Sequence, residues 1–134
     1  MEPIEATLLL VEDDPILQEL YLDRFVSVGF HVIQATDGVQ ALELLQQHPE
    51  IALVLLDVML PKVSGYDVLM KIRHTPETKD LPVIVVSALA DVDDQARAMQ
   101  LGATDYITKG EMLPGAVIEK IKQYAISIPR PEEG

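Results

Sequence analysis

The sequence predicts an α/β fold: a five-stranded parallel sheet, doubly wound as (βα)5, with helices on both faces. Two observations carry that prediction. Apolar runs recur at a steady interval, "TLLLV" (7–11), "HVIQA" (31–35), "IALVLLDV" (51–58), "LPVIVVSA" (81–88) and "TDYIT" (104–108). The third and fourth are nearly continuous in Leu, Val and Ile, as strands covered on both faces should be. Segments with helical spacing lie between the runs, and alternation of strand and helix leads to a parallel sheet.

Each helix has its own signals. After Asp14-Pro15, an N-cap followed by proline at the first helical position, Ile16, Leu17, Leu20, Tyr21, Phe25 and Val28 form an i, i+3/i+4 stripe that stops at Gly29. A second helix runs from Gly38 to Gln47 and is stopped by Pro49. A third begins near Ser64-Gly65 and ends before Pro76. The fourth begins around Asp91–Asp94, acids suited to a helix N-terminus, and ends at Gly102. The fifth covers Met112 to about Ile126, with Val117, Ile118, Ile121 and either Tyr124 or Ala125 facing inward.

Composition narrows the class. A chain of 134 residues, 49% apolar, fits one domain with a sizeable core. The absence of cysteine excludes disulfides and thiolate metal sites. No apolar stretch approaches a membrane span, and no signal-peptide pattern opens the chain, so a soluble cytoplasmic protein is expected. The net charge of −12 argues against direct nucleic-acid binding, which needs a surplus of lysine and arginine. Residues 1–126 are read as the domain and "SIPRPEEG" (127–134), with two prolines, as a flexible tail. His31, His48 and His74 fit no metal spacing and are read as surface or edge residues.

Polar groups follow the strands directly. In an open parallel sheet, sites form where strand C-termini open into loops and strand order reverses. Here the first strand ends at Glu12-Asp13-Asp14, the third at Asp57, the fourth at Ser87-Ala88 and the fifth at Thr108-Lys109-Gly110. Taken singly, Asp57 is either a solvated acid opening a loop or a metal-binding or nucleophilic carboxylate. Asp14 meets the need for a helix cap, which leaves Glu12 and Asp13 unexplained. Ser87 alone reads as a turn hydroxyl and Lys109 as a surface cation. Together the five suit a hard cation held by carboxylates, a nucleophilic carboxylate beside it, and a hydroxyl and an ammonium for phosphoryl oxygens.

Over residues 6 to 126 the chain resembles a response-regulator receiver domain, the phosphoaccepting module of two-component signalling, with its flavodoxin-like fold. The matching pieces are "LLVEDDP", "LVLLDVMLPKVSGYDVLMKIR", "LPVIVVSALA" and "GATDYITKG", in order and at strand ends. The resemblance implies that Asp57 accepts a phosphoryl group from a histidine kinase, a phosphotransfer protein or a small phosphodonor. It implies that Glu12, Asp13, Asp57 and the Met59 carbonyl hold Mg²⁺ or Mn²⁺. Lys109 matches the lysine that pairs with Asp57 and then with a phosphoryl oxygen, and Ser87 matches the switch hydroxyl. Ala88 keeps the pocket open, and Pro61 and Gly65 shape the loop after the aspartate. Tyr106 matches the aromatic whose rotamer follows the hydroxyl, although a half-buried strand tyrosine is a plain alternative. The resemblance also implies a downstream protein partner on the surface of the fourth helix, fifth strand and fifth helix, without nucleic acid or membrane. A dimer formed there on phosphorylation is left open.

Absence of an output domain in the sequence favours a stand-alone receiver over an excised one. Two other readings are open: a constitutive, non-phosphorylated interaction domain of the same fold, and a small Mg-dependent phosphatase. Enzymes resembling the haloacid dehalogenase class want a second aspartate two residues after the nucleophile, where this chain has Met59. One departure from the receiver pattern is Lys109-Gly110, because the family usually follows its lysine with a cis proline. A non-proline cis bond costs about 2.5–4 kcal/mol, so a trans bond and a looser loop are expected. Met59 and Leu89, each two residues beyond a site residue, are apolar and would shield an acyl phosphate from water. Slow autodephosphorylation is therefore expected: label on purified phosphoprotein should persist well beyond seconds, and loss within seconds would contradict the shielding.

Overall fold

A computed structural model describes residues 6–58, 60, 63–87, 92–108 and 114–126. The elements run β1 (Thr7–Val11), α1 (Pro15–Ser27), β2 (His31–Ala35), α2 (Gly38–Gln47), β3 (Ile51–Leu56), α3 (Gly65–His74), β4 (Val83–Ser87), α4 (Val92–Gln100), β5 (Asp105–Thr108) and α5 (Pro114–Ile126). The strands form one parallel sheet in the order β2-β1-β3-β4-β5. The expected (βα)5 fold is thus observed. Met112, expected to start α5, lies outside the described residues, as do the side chain of Ala125 and the tail at 127–134.

Side chains of the central strands alternate with period two and feed two cores. Leu8, Leu10, Leu53, Leu55, Ile84 and Val86 face Tyr21 and Phe25 of α1 and Val117, Ile118 and Ile121 of α5. Leu9, Val11, Val54, Leu56, Val83 and Val85 face Ala41 and Leu45 of α2, Val68, Leu69 and Ile72 of α3, and Ala98 of α4. Strands covered on both faces need no polar alternation, which explains the continuous apolar runs. Tyr124 packs at the margin of the first core, in agreement with one of the two expectations for α5.

The helix starts are capped as the sequence suggested. The Asp14 carboxylate accepts from the Ile16 N–H at 2.9 Å, with Pro15 at the first helical position. Ser64 Oγ accepts from the Asp67 N–H at 3.3 Å to start α3. Asp93 and Asp94 stand in the first turn of α4. The stripe expected on α1 needs correction. Ile16 is 76% exposed and Leu20 44%, whereas Gln18 is buried together with Tyr21 and Phe25. The buried line is 18, 21 and 25, with Leu17 and Val28 partly buried beside it, and Ile16 and Leu20 lie about 100° or more round the helix from its centre at 3.6 residues per turn. An amide occupies a position that apolar counting passes over. The histidines are peripheral: His31 is exposed on the edge strand β2, His48 caps the end of α2 and His74 is exposed at the end of α3.

The strand order reverses between β1 and β3. The chain moves outward from β1 to β2, returns to the other side of β1 at β3, and continues to β5. Their C-terminal ends form the topological switch point at which α/β folds place ligands. Gly65 sets how closely α3 approaches this point. A Cβ there would lie 2.3 Å from Val58 Cα and 2.4 Å from the Asp57 carbonyl oxygen, both backbone atoms. The Gly65 N–H donates to the Val58 carbonyl at 3.0 Å. Gly65→Ala must displace this backbone, with an expected cost of about 3 kcal/mol or more. Gly115→Ala meets nothing within 4 Å and should instead stabilise by about 0.5–1 kcal/mol through helix propensity. Urea unfolding of the two variants should therefore move the midpoint in opposite directions.

Candidate functional site

Glu12 follows β1 directly, and its N–H donates to the Ala35 carbonyl at the end of β2 at 3.0 Å. Asp57 follows β3, and its N–H donates to the Val11 carbonyl at 3.1 Å. Both residues therefore continue the ladder, and their side chains emerge at the switch point. One oxygen from each of Glu12, Asp13 and Asp57 can be chosen so that all three lie within 4.8 Å of one another. Glu12 is only 3% exposed and Asp57 4%, while Asp13 is open to solvent. The three acids that follow β1 divide their work: Asp14 caps α1, and Glu12 and Asp13 join Asp57.

The electrostatics of this cluster are demanding. Unit charges about 5 Å apart repel by roughly 3 kcal/mol per pair at an effective dielectric near 20. Three hard oxygen donors, with one side open to water, form a set suited to Mg²⁺ or Mn²⁺. These ions tolerate few protein ligands because they retain water, so the residues present fit such an ion. The Glu12 carboxylate also accepts from the Asp14 N–H at 3.1 Å, which fixes its direction.

Ser87 and Tyr106 lie beside the cluster on the neighbouring strands. Ser87 ends β4 and is fully buried; Tyr106 is 8% exposed on β5, paired with Val85. Burial raises the Tyr106 phenol above its ordinary value. The Ser87 side chain acts on the phenol and lowers its pKa against this, and the Asp94 and Asp57 carboxylates raise it further. Tyr106 is accordingly a buried tyrosine on β5. Lys109, Ala88, Met59, Pro61, Leu89 and the Lys109–Gly110 bond lie outside the described residues.

Two arrangements near the site were not read from the sequence. The Arg97 guanidinium of α4 stands 4.2 Å from the centroid of the Tyr66 ring of α3, within cation–π range. The Tyr66 hydroxyl donates to the Asp94 carbonyl at 3.5 Å. On β5, the Asp105 carboxylate accepts from Lys120 Nζ and from the Tyr124 hydroxyl of α5, each at 2.8 Å, and from the Tyr106 N–H at 2.7 Å. The i, i+4 spacing of Lys120 and Tyr124 places them on one helix face, but their shared partner on a strand carries no local signal.

Among known proteins, the chain matches the response regulator receiver domain family over residues 8–122. It is 38% identical over 110 residues to a probable transcriptional regulator ycf27 of Cyanophora paradoxa, covering 81% of this chain and 44% of that protein. It is 35% identical over 119 residues to the polar-differentiation response regulator DivK of Brucella anthropi, covering 88% of this chain and 94% of that one. Among solved structures it resembles the Mn²⁺-bound response regulator Rcp1, with a TM-score of 0.80, 28% identity, and 94% and 99% of the two chains covered. It also resembles the phosphorylated cyanobacterial phytochrome response regulator RcpA, with a TM-score of 0.82, 28% identity, and 95% and 98% covered. The chain thus spans less than half the length of several of the curated relatives it matches. The chain belongs to the response regulator receiver domain family. Receivers of this family are phosphorylation-dependent switches of two-component signalling and bind Mg²⁺ or Mn²⁺ at an acidic pocket of this kind. No helix among the described residues is long and apolar enough to cross a membrane.

The Asp105 network makes a pH-dependent contribution to stability. Burial raises the carboxyl, but the hydrogen bonds from Lys120, the Tyr106 N–H and Tyr124 outweigh it, so the pKa falls below the usual 3.8. A carboxyl with a lower pKa when folded stabilises above the unfolded value and loses that contribution as pH falls through the folded value. The stability gap between wild type and Lys120→Met is expected to be at most about 1 kcal/mol, given the partial exposure of the pair. In urea unfolding that gap should shrink between about pH 6 and about pH 3 as Asp105 takes up its proton.

Proposed function

We propose that Asp57 is the phosphoryl acceptor and that Glu12, Asp13, Asp57 and the Met59 carbonyl hold the divalent ion. The observation that carries this reading is the meeting of the three carboxylates at the switch point between β1 and β3. The donor would be a phosphohistidine on a histidine kinase or phosphotransfer protein, or a small acyl phosphate. An Asp57 oxygen attacks the phosphorus in line with the leaving imidazole nitrogen. The P–O bond forms as the P–N bond breaks, and the imidazole keeps the electron pair and takes a proton. When bound, the ion neutralises charge between the carboxylates and the phosphoryl oxygens.

The remaining residues divide the other tasks. Lys109 pairs with Asp57 before transfer and with a phosphoryl oxygen afterwards, and Ala88 leaves room for the group. Ser87 offers its hydroxyl to another phosphoryl oxygen, and Tyr106, whose phenol the Ser87 side chain already influences, follows it. The movement would pass to α4, β5 and α5, whose surface a downstream protein reads in the cytoplasm. The packing of α4 supports this choice of moving element. Among its described residues only Ala98 is buried, and Val92 and Met99 are largely exposed. Elements with few buried apolar groups are the ones that rearrange at low cost.

The test is incubation with acetyl phosphate and Mg²⁺ followed by intact mass measurement of wild type and Asp57→Asn. One phosphoryl adduct on wild type, lost in the variant and lost on chelation of the ion, is the expected result. No adduct on wild type, with another receiver labelled in parallel, would overturn the reading.

A further inference from the structure

We infer that Gln18 is a positioning residue of the acidic rim, whose amide sets the placement of Glu12 and Asp13 and thereby the affinity of the rim for a divalent cation. The inference about affinity rests on the metal reading above; the inference about placement stands on its own contacts. Gln18 lies in the first turns of α1 and is 6% exposed. Its Nε2 donates to two backbone carbonyls, that of Glu12 at 2.9 Å and that of Ala35 at 2.8 Å. These carbonyls close β1 and β2, and the same Ala35 oxygen accepts the Glu12 N–H. One amide therefore joins two strand ends and a helix start at the residue that bears the buried carboxylate. Gln34 completes the arrangement by donating its Nε2 to Gln18 Oε1.

The chemistry of the position demands this side chain. Two converging carbonyls need two N–H donors on one atom, which a primary amide supplies. Glutamate would bring a third acceptor and another negative charge to the acids. A methionine of similar length would take the amide donor from both carbonyls in a water-poor place, leaving the Ala35 oxygen only its bond from the Glu12 N–H. With β1 and β2 tied together, the turn after Glu12 has little freedom, and the carboxylates are held near one another despite their repulsion. Groups that orient metal ligands in this way typically change affinity by 10–100-fold when removed.

The test compares wild type, Gln18→Met, Gln34→Leu and Thr78→Val. Thr78 donates to the Ile72 carbonyl in the connection from α3 to β4, and its loss serves as a destabilised control away from the rim. Mn²⁺ affinity is read from the signal of free Mn²⁺ in electron paramagnetic resonance, and amide exchange at Glu12 and Asp14 is read by NMR. Gln18→Met is expected to bind Mn²⁺ about 10-fold more weakly, with faster exchange at both amides. Gln34→Leu, at an exposed position whose loss should spare the fold, should weaken binding about 2–3-fold. Thr78→Val should change neither. Unchanged Mn²⁺ affinity in folded Gln18→Met would overturn the inference. If Gln18→Met does not fold, unchanged affinity and exchange in Gln34→Leu would overturn it. Wild type that takes up no Mn²⁺ would defeat the metal reading alone; the exchange rates of Glu12 and Asp14 would then decide for or against the positioning role.

Discussion

Two almost fully buried carboxylates, Glu12 and Asp57, stand at the ends of neighbouring parallel strands, with a third, Asp13, at the surface beside them. Mutual repulsion of several kcal/mol would push such a group apart if its backbone could yield. It cannot yield far. Glu12 and Asp57 are each held by a ladder bond to the next strand, and the strands beneath are covered on both faces by leucine, valine and isoleucine. The sheet supplies the rigidity, and the like charges suit the rim to a divalent cation. An apolar core and a strained polar rim are thus parts of one design.

The helices differ in how firmly they are held against the sheet. On one face, α1 presents Tyr21 and Phe25, stacked with ring centroids 5.5 Å apart, and Phe25 also meets Phe30 edge-on. Large aromatic groups in a filled core resist displacement. On the other, α4 contributes a single buried alanine among its described residues and leans on the Tyr66–Arg97 contact. Arg73 anchors the chain just beyond α4, donating to the Gly102 carbonyl at 2.8 Å and the Leu81 carbonyl at 2.6 Å. The helix is thus fixed at its exit and lightly held along its length. That is an arrangement in which the helix can shift at low cost.

Much of this was legible because it rests on local chemistry. Continuous apolar runs marked the double-sided strands, Asp14-Pro15 marked the start of α1, and Ser64-Gly65 marked α3. Acids directly after strands one and three pointed to the rim, because a parallel sheet sends all its C-terminal ends to one edge. Gln18 was passed over because a glutamine in an amphipathic helix resembles a solvent-facing residue. Only the strand ends above it reveal the two carbonyls that its amide joins. Ile16 and Leu20 misled in the opposite direction, as apolar residues that the helix turns toward water.

The sequence by itself determined the alternation of strand and helix, the helix starts and the set of acids, hydroxyl and lysine that the site could use. Each of these follows from backbone propensity, side-chain period or the direction of a parallel strand, all local properties of the chain. The tertiary structure decided the strand order that brings β1 beside β3, the closeness of the three carboxylates and the placement of Ser87 and Tyr106 on neighbouring strands. It also decided which face of α1 is buried and which partners Gln18, Arg73 and Asp105 find. These depend on contacts between residues far apart in the chain, and no local preference specifies such a pairing.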